Sequence, residues 1–272
     1  GTGVSFSLNY NSQLWRRDGS TVWKLGRDVG YGFGWRLLAG SITPYWSGYF
    51  VLHHYVFTDS TGAEYRLEVN NGGVWSSRDG LYLEYDSNTN KLYFPDGSFW
   101  VMGSVSAGTE QDGGTRYPTL MQDSNGNQIL VRYHSGLGVA WSNSSARIQQ
   151  IEDVRANSID GVNYRTWMFS YSADPIPHLV SIDSTAAPGE RYTLSYTASQ
   201  WLIEPFWGFV WFGQEQMLQS VMVQGLGVGH SFTYSGNYSG ELSQVTLPYG
   251  GTLRWTYKEF THSGGRSLRE VE

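Results

Sequence analysis

The sequence predicts an all-β protein built from antiparallel hairpins, and three observations lead to that fold class. Of its 272 residues, 34 are glycine and 16% are aromatic, a composition typical of short strands joined by tight turns. Apolar and polar residues alternate strictly in many segments, which is the period of a half-buried strand. Helical periodicity is nearly absent, because even the best candidate, 145–154, has apolar residues three apart but none four apart.

The alternation is clearest in three segments, 166–171, 191–196 and 252–257. Each places aromatic or aliphatic residues at every second position, so one face of the predicted strand packs on a core and the other faces solvent. Residues that favour tight turns separate such strands. These predicted turns are 59–62, 95–97, 125–127, 188–189 and 248–251.

Composition and charge exclude several kinds of partner and site. The formal net charge is −6 and the longest basic run is Arg16-Arg17, whereas phosphate binding needs clustered Lys and Arg. Nucleic acid is therefore not an expected partner. The absence of cysteine excludes disulfides, thiol nucleophiles and cysteine zinc sites. The most apolar run, 201–213, is interrupted by Glu204 and Pro205 and is shorter than the roughly 20 residues of a membrane span.

A degenerate repeat runs through the second half of the chain. Its first strand has the form Leu/Ile-x-x-Ile/Val, and its second strand ends in an apolar residue, any residue and Tyr. The first-strand pairs are Ile148/Ile151, Leu179/Ile182, Leu218/Val221 and Leu242/Val245. The turn glycines are Gly126, Gly189, Gly250 and Gly251, and the closing tyrosines are Tyr133, Tyr171, Tyr196, Tyr234 and Tyr257. All of these are predicted to be structural positions of the repeat.

This order of strand, Asp or Pro-Asp, Gly turn, strand and closing Tyr resembles the tyrosine–aspartate (YD) repeat of the Rhs family. That family includes bacterial polymorphic toxins, insecticidal toxin-complex subunits and animal teneurins. Residues 120–133 and 242–257 each resemble one repeat. Residues 4–15, followed by Gly32-Phe33-Gly34-Trp35, resemble the segment that opens the repeat region in many bacterial members. The resemblance divides the chain into an opening segment, 1–50, and degenerate repeats, 51–272, that are expected to be truncated at the C-terminus.

The resemblance implies a spiral of antiparallel β-hairpin repeats that forms part of a curved shell wall. Such a shell encloses or presents a C-terminal cargo or toxin polypeptide and is secreted or displayed on a bacterial surface, although no signal peptide is found at the start of this sequence. The implied partners are the cargo polypeptide or the remainder of the same shell, with self-association through open sheet edges. No enzymatic activity, cofactor or metal is expected.

Several other candidate residues have both a functional and a structural interpretation. The histidines lack the i, i+4 spacing of a zinc protease, and His53 and His54 are expected on opposite faces of a strand. Segments 86–90 and 123–127 have the Asp-x-Asn-x-Asn spacing of a calcium loop. Asp and Asn are also the ordinary residues of tight turns, and we favour that interpretation.

Two alternatives to a shell role remain, and both rest on aromatic residues. Four tryptophans, Trp141, Trp201, Trp207 and Trp211, could form a platform for a sugar ring, although strand alternation favours their burial. Glu204 has the most aromatic surroundings of any acid, but a glycoside hydrolase needs two carboxylates across a cleft, and we favour a strand edge for Glu204. The first alternative is therefore a carbohydrate-binding or adhesion module, and the second is a β-scaffold glycoside hydrolase.

Overall fold

The computed structural model describes residues 4–48, 50–154, 165–185, 187, 189–208 and 210–272. Within these ranges the protein is all-β and contains no helix, so no helix there could cross a membrane. Every described strand pairing is antiparallel. The predicted fold class is confirmed in these terms.

The strands follow one another closely along the chain. In order they are β1 (Ser7–Tyr10), β2 (Trp15–Asp18), β3 (Thr21–Lys24), β4 (Trp35–Leu38), β5 (Gly40–Ser47), β6 (Val51–Asp59), β7 (Glu64–Leu67), β8 (Val69–Asn71), β9 (Val74–Ser76), β10 (Glu84–Asp86), β11 (Lys91–Tyr93), β12 (Phe99–Val101), β13 (Ser104–Val105), β14 (Arg116–Tyr117), β15 (Leu120–Gln122), β16 (Gln128–Tyr133), β17 (Ile148–Asp153), β18 (Arg165–Tyr171), β19 (Leu179–Ser184), β20 (Arg191–Tyr196), β21 (Gln200–Ile203), β22 (Trp211–Glu215), β23 (Leu218–Val223), β24 (Val228–Tyr234), β25 (Leu242–Thr246), β26 (Thr252–Arg254), β27 (Tyr257–Thr261) and β28 (Arg266–Val271). The segment with the strongest helical periodicity forms strand β17.

Contacts between Cα atoms divide the chain into two compact units. Unit 1 consists of residues 1–9, 37–169 and 184–188, and unit 2 of residues 10–36, 170–183 and 189–272.

Unit 1 contains a sheet in the order β13-β14-β5-β6-β7 and a ladder in the order β18-β17-β16-β15-β12-β11-β10-β9-β8. Its core includes Tyr55, Phe57, Trp75, Tyr85 and Leu92, all buried. These residues meet because hydrogen-bonded strands bring positions far apart in sequence directly opposite each other. Trp75 faces Tyr85, and Tyr85 faces Leu92, across neighbouring strands.

Unit 2 contains a ladder in the order β19-β20-β23-β24-β25-β26, a sheet in the order β27-β28-β2-β3, and the hairpin β21-β22. Its core is formed by Leu14, Trp15, Phe33, Leu202 and Met217, each with no exposed surface. The core therefore combines residues from the start of the chain with residues from its second half, where Phe33 N–H donates a hydrogen bond to the carbonyl oxygen of Gln216 at 2.9 Å.

Candidate functional site

The repeat hairpins of unit 2 begin and end at the residues of the sequence repeat. Strands β19, β23 and β25 begin at the buried residues Leu179, Leu218 and Leu242. Strands β20 and β24 end at Tyr196 and Tyr234. Tyr257 is predicted to end a second strand as well, but β26 ends at Arg254 and Tyr257 begins β27, because it pairs with Val271 of β28. The sequence pattern thus marks the boundaries of the hairpins as well as their apolar faces.

Each closing tyrosine of unit 2 after Tyr171 donates its hydroxyl hydrogen bond to the first residue of its own hairpin. Tyr196 donates to the carbonyl oxygen of Leu179 at 2.9 Å. Tyr234 donates to that of Leu218 at 2.6 Å, and Tyr257 to that of Leu242 at 2.9 Å. We call this contact the tyrosine closure. It supplies a donor to a carbonyl at the start of a strand, where the ladder leaves backbone groups in need of partners.

A β-bulge explains why the first-strand residues are three apart, a spacing that puts side chains on opposite faces of a regular strand. Tyr196 pairs with Leu218 and Leu194 with Val221, so two steps on β20 match three on β23. The extra residue on β23 is Gln219. A bulge of this kind inserts one residue and turns the following side chains, which returns both apolar positions to one side.

The same register shift recurs between two other pairs of neighbouring strands, β24 with β25 and β16 with β17. Tyr234 pairs with Leu242, and Phe232 pairs with Val245, with one extra residue on β25. In unit 1, Tyr133 pairs with Ile148 across the same shift. Each of these closing tyrosines therefore touches two hairpins, through its backbone and through its hydroxyl.

In the three first-strand pairs of unit 2, the leucine is buried and the second apolar residue is half-buried. Leu179 has no exposed surface, but Ile182 is only half-buried. The buried residue beside it is Ser181, which is 2% exposed. Ser181 and Ile182 pair with consecutive residues of β20, Thr193 and Tyr192, without a bulge between them. Neighbouring side chains of such a strand point to opposite faces, so Ile182 shares the face of Tyr192 and of the buried Leu194, and Ser181 lies on the other face.

Two other closing tyrosines have described hydroxyl contacts outside the first strand of their hairpins. Tyr133 donates to the carbonyl oxygen of Pro118 at 3.0 Å, two residues before the start of β15. The hydroxyl of Tyr171 lies 3.1 Å from that of Tyr31. Among the described contacts, the tyrosine closure is present in the last three hairpins of the ladder.

Three of the four turn glycines have a backbone conformation that favours glycine. Gly126, Gly189 and Gly250 have φ values of 83°, 99° and 88°, a region that L-residues rarely adopt. A side chain at any of the three would meet open space. Glycine is therefore favoured there by the backbone conformation and not by lack of room. Gly251 accepts a hydrogen bond from Leu247 N–H through its carbonyl and so closes the β25–β26 turn.

Removing one closure hydroxyl is expected to destabilise unit 2. Tyr196→Phe leaves the carbonyl of Leu179 without this donor, and the loss of a buried hydrogen bond costs about 1 kcal/mol. Urea unfolding monitored by circular dichroism measures the change in free energy.

Tyr192→Phe is the matched control because it lies on the same strand, β20. Its hydroxyl donates to the side chain of Glu190 at 3.1 Å and not to a hairpin carbonyl. We expect a loss below about 0.5 kcal/mol for this surface change. Equal losses in the two variants would show that the closure hydrogen bond contributes no more to the unfolding free energy than the surface hydrogen bond of Tyr192.

Alkaline pH is expected to weaken the closures. Burial raises the pKa of Tyr196 and Tyr234, and burial followed by the charge of Glu241 raises the pKa of Tyr257 to about 12. Since the unfolded value is about 10, the folded state holds these protons more tightly. Their contribution to stability is therefore present below about pH 10 and is lost as the pH rises towards 12.

Urea unfolding between about pH 9 and pH 12 tests this pH dependence. The unfolding free energy of the wild type should fall, and that of Tyr257→Phe should fall less steeply. A wild-type profile that stays flat through this range would contradict the assignment.

Two buried polar side-chain pairs could not be predicted from the sequence. Asp28 Oδ2 lies 2.7 Å from His178 Nε2 in unit 2, and Glu110 Oε1 lies 2.7 Å from Arg147 Nη1 in unit 1. All four side chains are at most 3% exposed. Their partners are far apart in sequence and belong to no local pattern.

His53 and His54 do not lie on opposite faces, as a regular strand requires. Their Nδ1 atoms are 2.8 Å apart. The reason is a bulge, since Tyr45 pairs with His54 and Trp46 pairs with Leu52, which leaves His53 as an extra residue. Among the described residues, no group of three or more His, Cys, Asp or Glu side chains could hold a metal ion.

The two segments with calcium-like spacing form hairpin turns. Asp86 Oδ1 accepts a hydrogen bond from Asn88 N–H at 2.9 Å. Asp123 Oδ1 accepts from the N–H groups of Asn125 and Asn127, each at 2.9 Å. The carboxylates thus organise their own turns, as Asx residues commonly do.

The aromatic candidates are exposed. Trp141, Trp201, Trp207 and Trp211 are 53%, 50%, 50% and 59% exposed, so the expectation of burial is wrong at these positions. Glu204 has a buried carboxylate that accepts hydrogen bonds from the backbone N–H groups of 206–208 at 2.6 to 3.1 Å. It organises the turn after β21, because the carboxylate replaces water as the partner of these N–H groups.

No protein-family model and no curated protein matches this chain. Among solved structures it is similar to a chain of the TcdB2-TccC3-Cdc42 complex, with 11% identity over 94% of this chain and a TM-score of 0.41. The chain spans 16% of the length of that protein.

Two further solved structures are similar over nearly their whole length. The N-terminal domain of the effector protein SpvB from Salmonella typhimurium has 13% identity and a TM-score of 0.36, with 100% of this chain and 94% of that one covered. A porin-like protein from Bacteroides uniformis has 10% identity and a TM-score of 0.33, with 86% and 96% covered. All three TM-scores lie below 0.5, and the function proposed for this chain rests on its own residues.

Proposed function

We propose that this chain is a structural segment of an Rhs/YD-type shell that encloses or presents another polypeptide, and that it performs no catalysis. The observation that carries the proposal is the tyrosine closure, repeated with the same partner at Tyr196, Tyr234 and Tyr257. The same tyrosines carry the sequence resemblance to the YD repeat.

The closing tyrosines suit a wall because they connect neighbouring hairpins: the hydroxyl groups of Tyr196 and Tyr234 bind their own hairpin, and their backbones pair with the next one. Repeat proteins gain stability from each unit and from each interface between adjacent units, and so can be extended without a new core. Variable turns between constant closures keep this property, since a side chain at Gly126, Gly189 or Gly250 would meet open space. Such a wall would act by enclosure and needs neither cofactor nor metal.

We propose that the partner binds at the open edges of the sheets. In the described part of the chain, β8 pairs with β9 only and β26 with β25 only. An edge strand presents unpaired N–H and C=O groups that can pair with another chain. The partners we propose are the cargo polypeptide, the remainder of the same shell or a second copy. A secreted or bacterial cell-surface location fits this role.

Binding of an unfolded polypeptide tests the proposal directly. We expect the immobilised protein to retain reduced, carboxymethylated α-lactalbumin, which cannot fold, and not to retain native α-lactalbumin, the matched control. We also expect no turnover of chromogenic glycosides or esters. Hydrolysis of any of these substrates, or failure to distinguish the two forms of α-lactalbumin, would overturn the proposal.

Carbohydrate binding is the second candidate, and the exposed tryptophans of the β21–β22 hairpin favour it. The rings of Trp201 and Trp211 lie 5.7 Å apart, and the guanidinium of Arg17 lies 4.9 Å from the ring of Trp207. Flat, exposed rings can stack on sugar faces. Glycan-array binding that Trp211→Ala abolishes, in the absence of polypeptide binding, would favour this function over the shell role.

A further inference from the structure

Unit 1 contains a cavity of about 480 Å³ next to two hairpin turns. This volume lies in the range of small-molecule sites. The cavity is lined by seven apolar and seven polar residues and by no Lys, Arg or His. The residues that matter here are Phe94, Trp100, Met121 and Ile129 inside it, and Asp96 and Asp123 at the turns.

The apolar wall of the cavity continues a row of residues that begins in the core of unit 1. Leu92, buried in that core, pairs with Trp100, Trp100 with Met121, and Met121 with Ile129 across consecutive strands. Phe94 packs against Trp100 with ring centroids 4.8 Å apart. The wall is fixed by sheet register and core packing, so it is preformed.

Two carboxylates stand at the polar side of this wall. Asp96 lies in the β11–β12 turn and Asp123 in the β15–β16 turn, and the turns are neighbours because β12 pairs with β15. Hydrogen bonds from Ser98 to Asp96 Oδ1 lower the pKa of Asp96, so the group is ionised at neutral pH. The cavity therefore combines an apolar wall with negative charge and no compensating basic lining residue.

We propose that this cavity binds a cation carried on an apolar body. The carboxylates of Asp96 and Asp123 face the ammonium or guanidinium group, and the apolar body packs against Trp100 and Phe94. The ligand is either a free amine or a Lys or Arg side chain next to an apolar residue in a polypeptide. This site goes beyond the structural role and does not depend on it.

The charge and hydrogen-bonding chemistry of Asp96 and Asp123 indicate which kind of ligand the cavity would bind. Ionised carboxylates are hydrogen-bond acceptors only, so a ligand that binds them in addition to their turn hydrogen bonds must be a donor. A cation satisfies this need and balances two negative charges, and charge-assisted hydrogen bonds are about twice as strong as neutral ones. Aromatic rings also attract cations through their faces. An anionic ligand finds no basic partner among the lining residues.

Fluorine NMR of protein labelled with fluorotryptophan tests the site, with the Trp100 resonance assigned through Trp100→Phe. We expect phenethylamine to shift this resonance saturably and to bind about tenfold more tightly than phenethyl alcohol, its neutral analogue. The double substitution Asp96→Asn with Asp123→Asn should remove that preference. Asparagine keeps the side-chain oxygen that accepts the turn hydrogen bonds, so the fold is retained.

Asp86→Asn is the matched control, because Asp86 organises a similar turn but does not line the cavity. It should bind phenethylamine as the wild type does. Equal affinity for the amine and the alcohol, or unchanged amine binding in the double variant, would overturn the proposal. The peptide N-acetyl-Phe-Lys-amide distinguishes the sources: binding tighter than that of phenethylamine indicates a polypeptide, and binding that is no tighter indicates a free amine.

Discussion

Glu110→Ala is expected to destabilise unit 1 by about 3–5 kcal/mol, the usual result of removing one partner of a buried ion pair. The carboxylate of Glu110 is 1% exposed and accepts hydrogen bonds from Arg147 Nη1 at 2.7 Å and from Leu137 N–H at 2.8 Å. Alanine removes Oε1, the acceptor of both hydrogen bonds. The buried guanidinium then loses the charge of Glu110 beside it.

The position of Arg147 makes this loss structural as well as electrostatic. Its backbone carbonyl accepts from His134 N–H at 2.8 Å, just after the closing residue Tyr133. Burial and the charge of Arg147 together lower the pKa of His134. The ion pair therefore anchors the loop that connects β16 to β17.

Glu152→Ala provides the matched control for this prediction. Glu152 forms an ion pair of similar length, 2.9 Å, with Arg132, whose side chain is 47% exposed. Surface pairs contribute between about 0 and 1 kcal/mol, so the loss should stay below about 1 kcal/mol. Urea unfolding measures both variants, and hydrogen exchange at β16 and β17 assigns the loss to unit 1. Equal losses would contradict the role given to burial.

The repeat hairpins could be predicted because their signals are local. Alternation and turn residues decide strand and turn within a few positions, and the closing tyrosines end strands β16, β18, β20 and β24 as the repeat predicts. The spacing of Leu218 and Val221 was visible too, but its cause was not. Only the pairing register shows that Gln219 is an extra residue. The register also places Ile182 opposite Tyr192, on the face that carries the buried Leu194.

The buried polar pairs could not be predicted, since the identity of a partner is decided by the tertiary fold. Asp28 and His178 are 150 positions apart, and neither stands out in composition or periodicity. His53 and His54 show the same limit at short range. A bulge overrides the face that strand alternation assigns to each of them.

Two residues of the cavity in unit 1 are predicted from the sequence, but as turn residues and not as parts of a binding site. Asp96 and Asp123 were identified as turn residues, and Asp123 also by its calcium-like spacing. Their position beside Trp100 depends on the pairing of β12 with β15. Sequence alone specifies each turn but not which turns become neighbours.

Asp28→Ala is expected to destabilise unit 2 by about 3 kcal/mol, because one buried carboxylate has three described donors. Its Oδ1 accepts from the N–H groups of Gly30 and Gly32 at 2.9 and 3.3 Å, and its Oδ2 lies 2.7 Å from His178 Nε2. Each buried polar group left without a partner costs about 1–3 kcal/mol. Some relaxation of the loop keeps the total near the lower end.

The loss should spread from this loop to the first repeat hairpin of unit 2. The carbonyl of Gly30 accepts from Leu179 N–H at 2.9 Å, and the carbonyl of Leu179 accepts the closure of Tyr196. Asp28 thus supports the segment that positions the start of β19. Hydrogen exchange should therefore accelerate in β19 and β20 of the variant more than in β25.

Asp183→Ala is the control, since this acid lies on β19 itself but is 42% exposed and pairs with Arg191 at 3.4 Å. We expect a loss below about 1 kcal/mol. If Asp28→Ala behaved like this control, the buried contacts of Asp28 would contribute no more than a surface ion pair. A loss of about 3 kcal/mol centred on β19 would instead show that residues outside the repeat fix where the repeat begins.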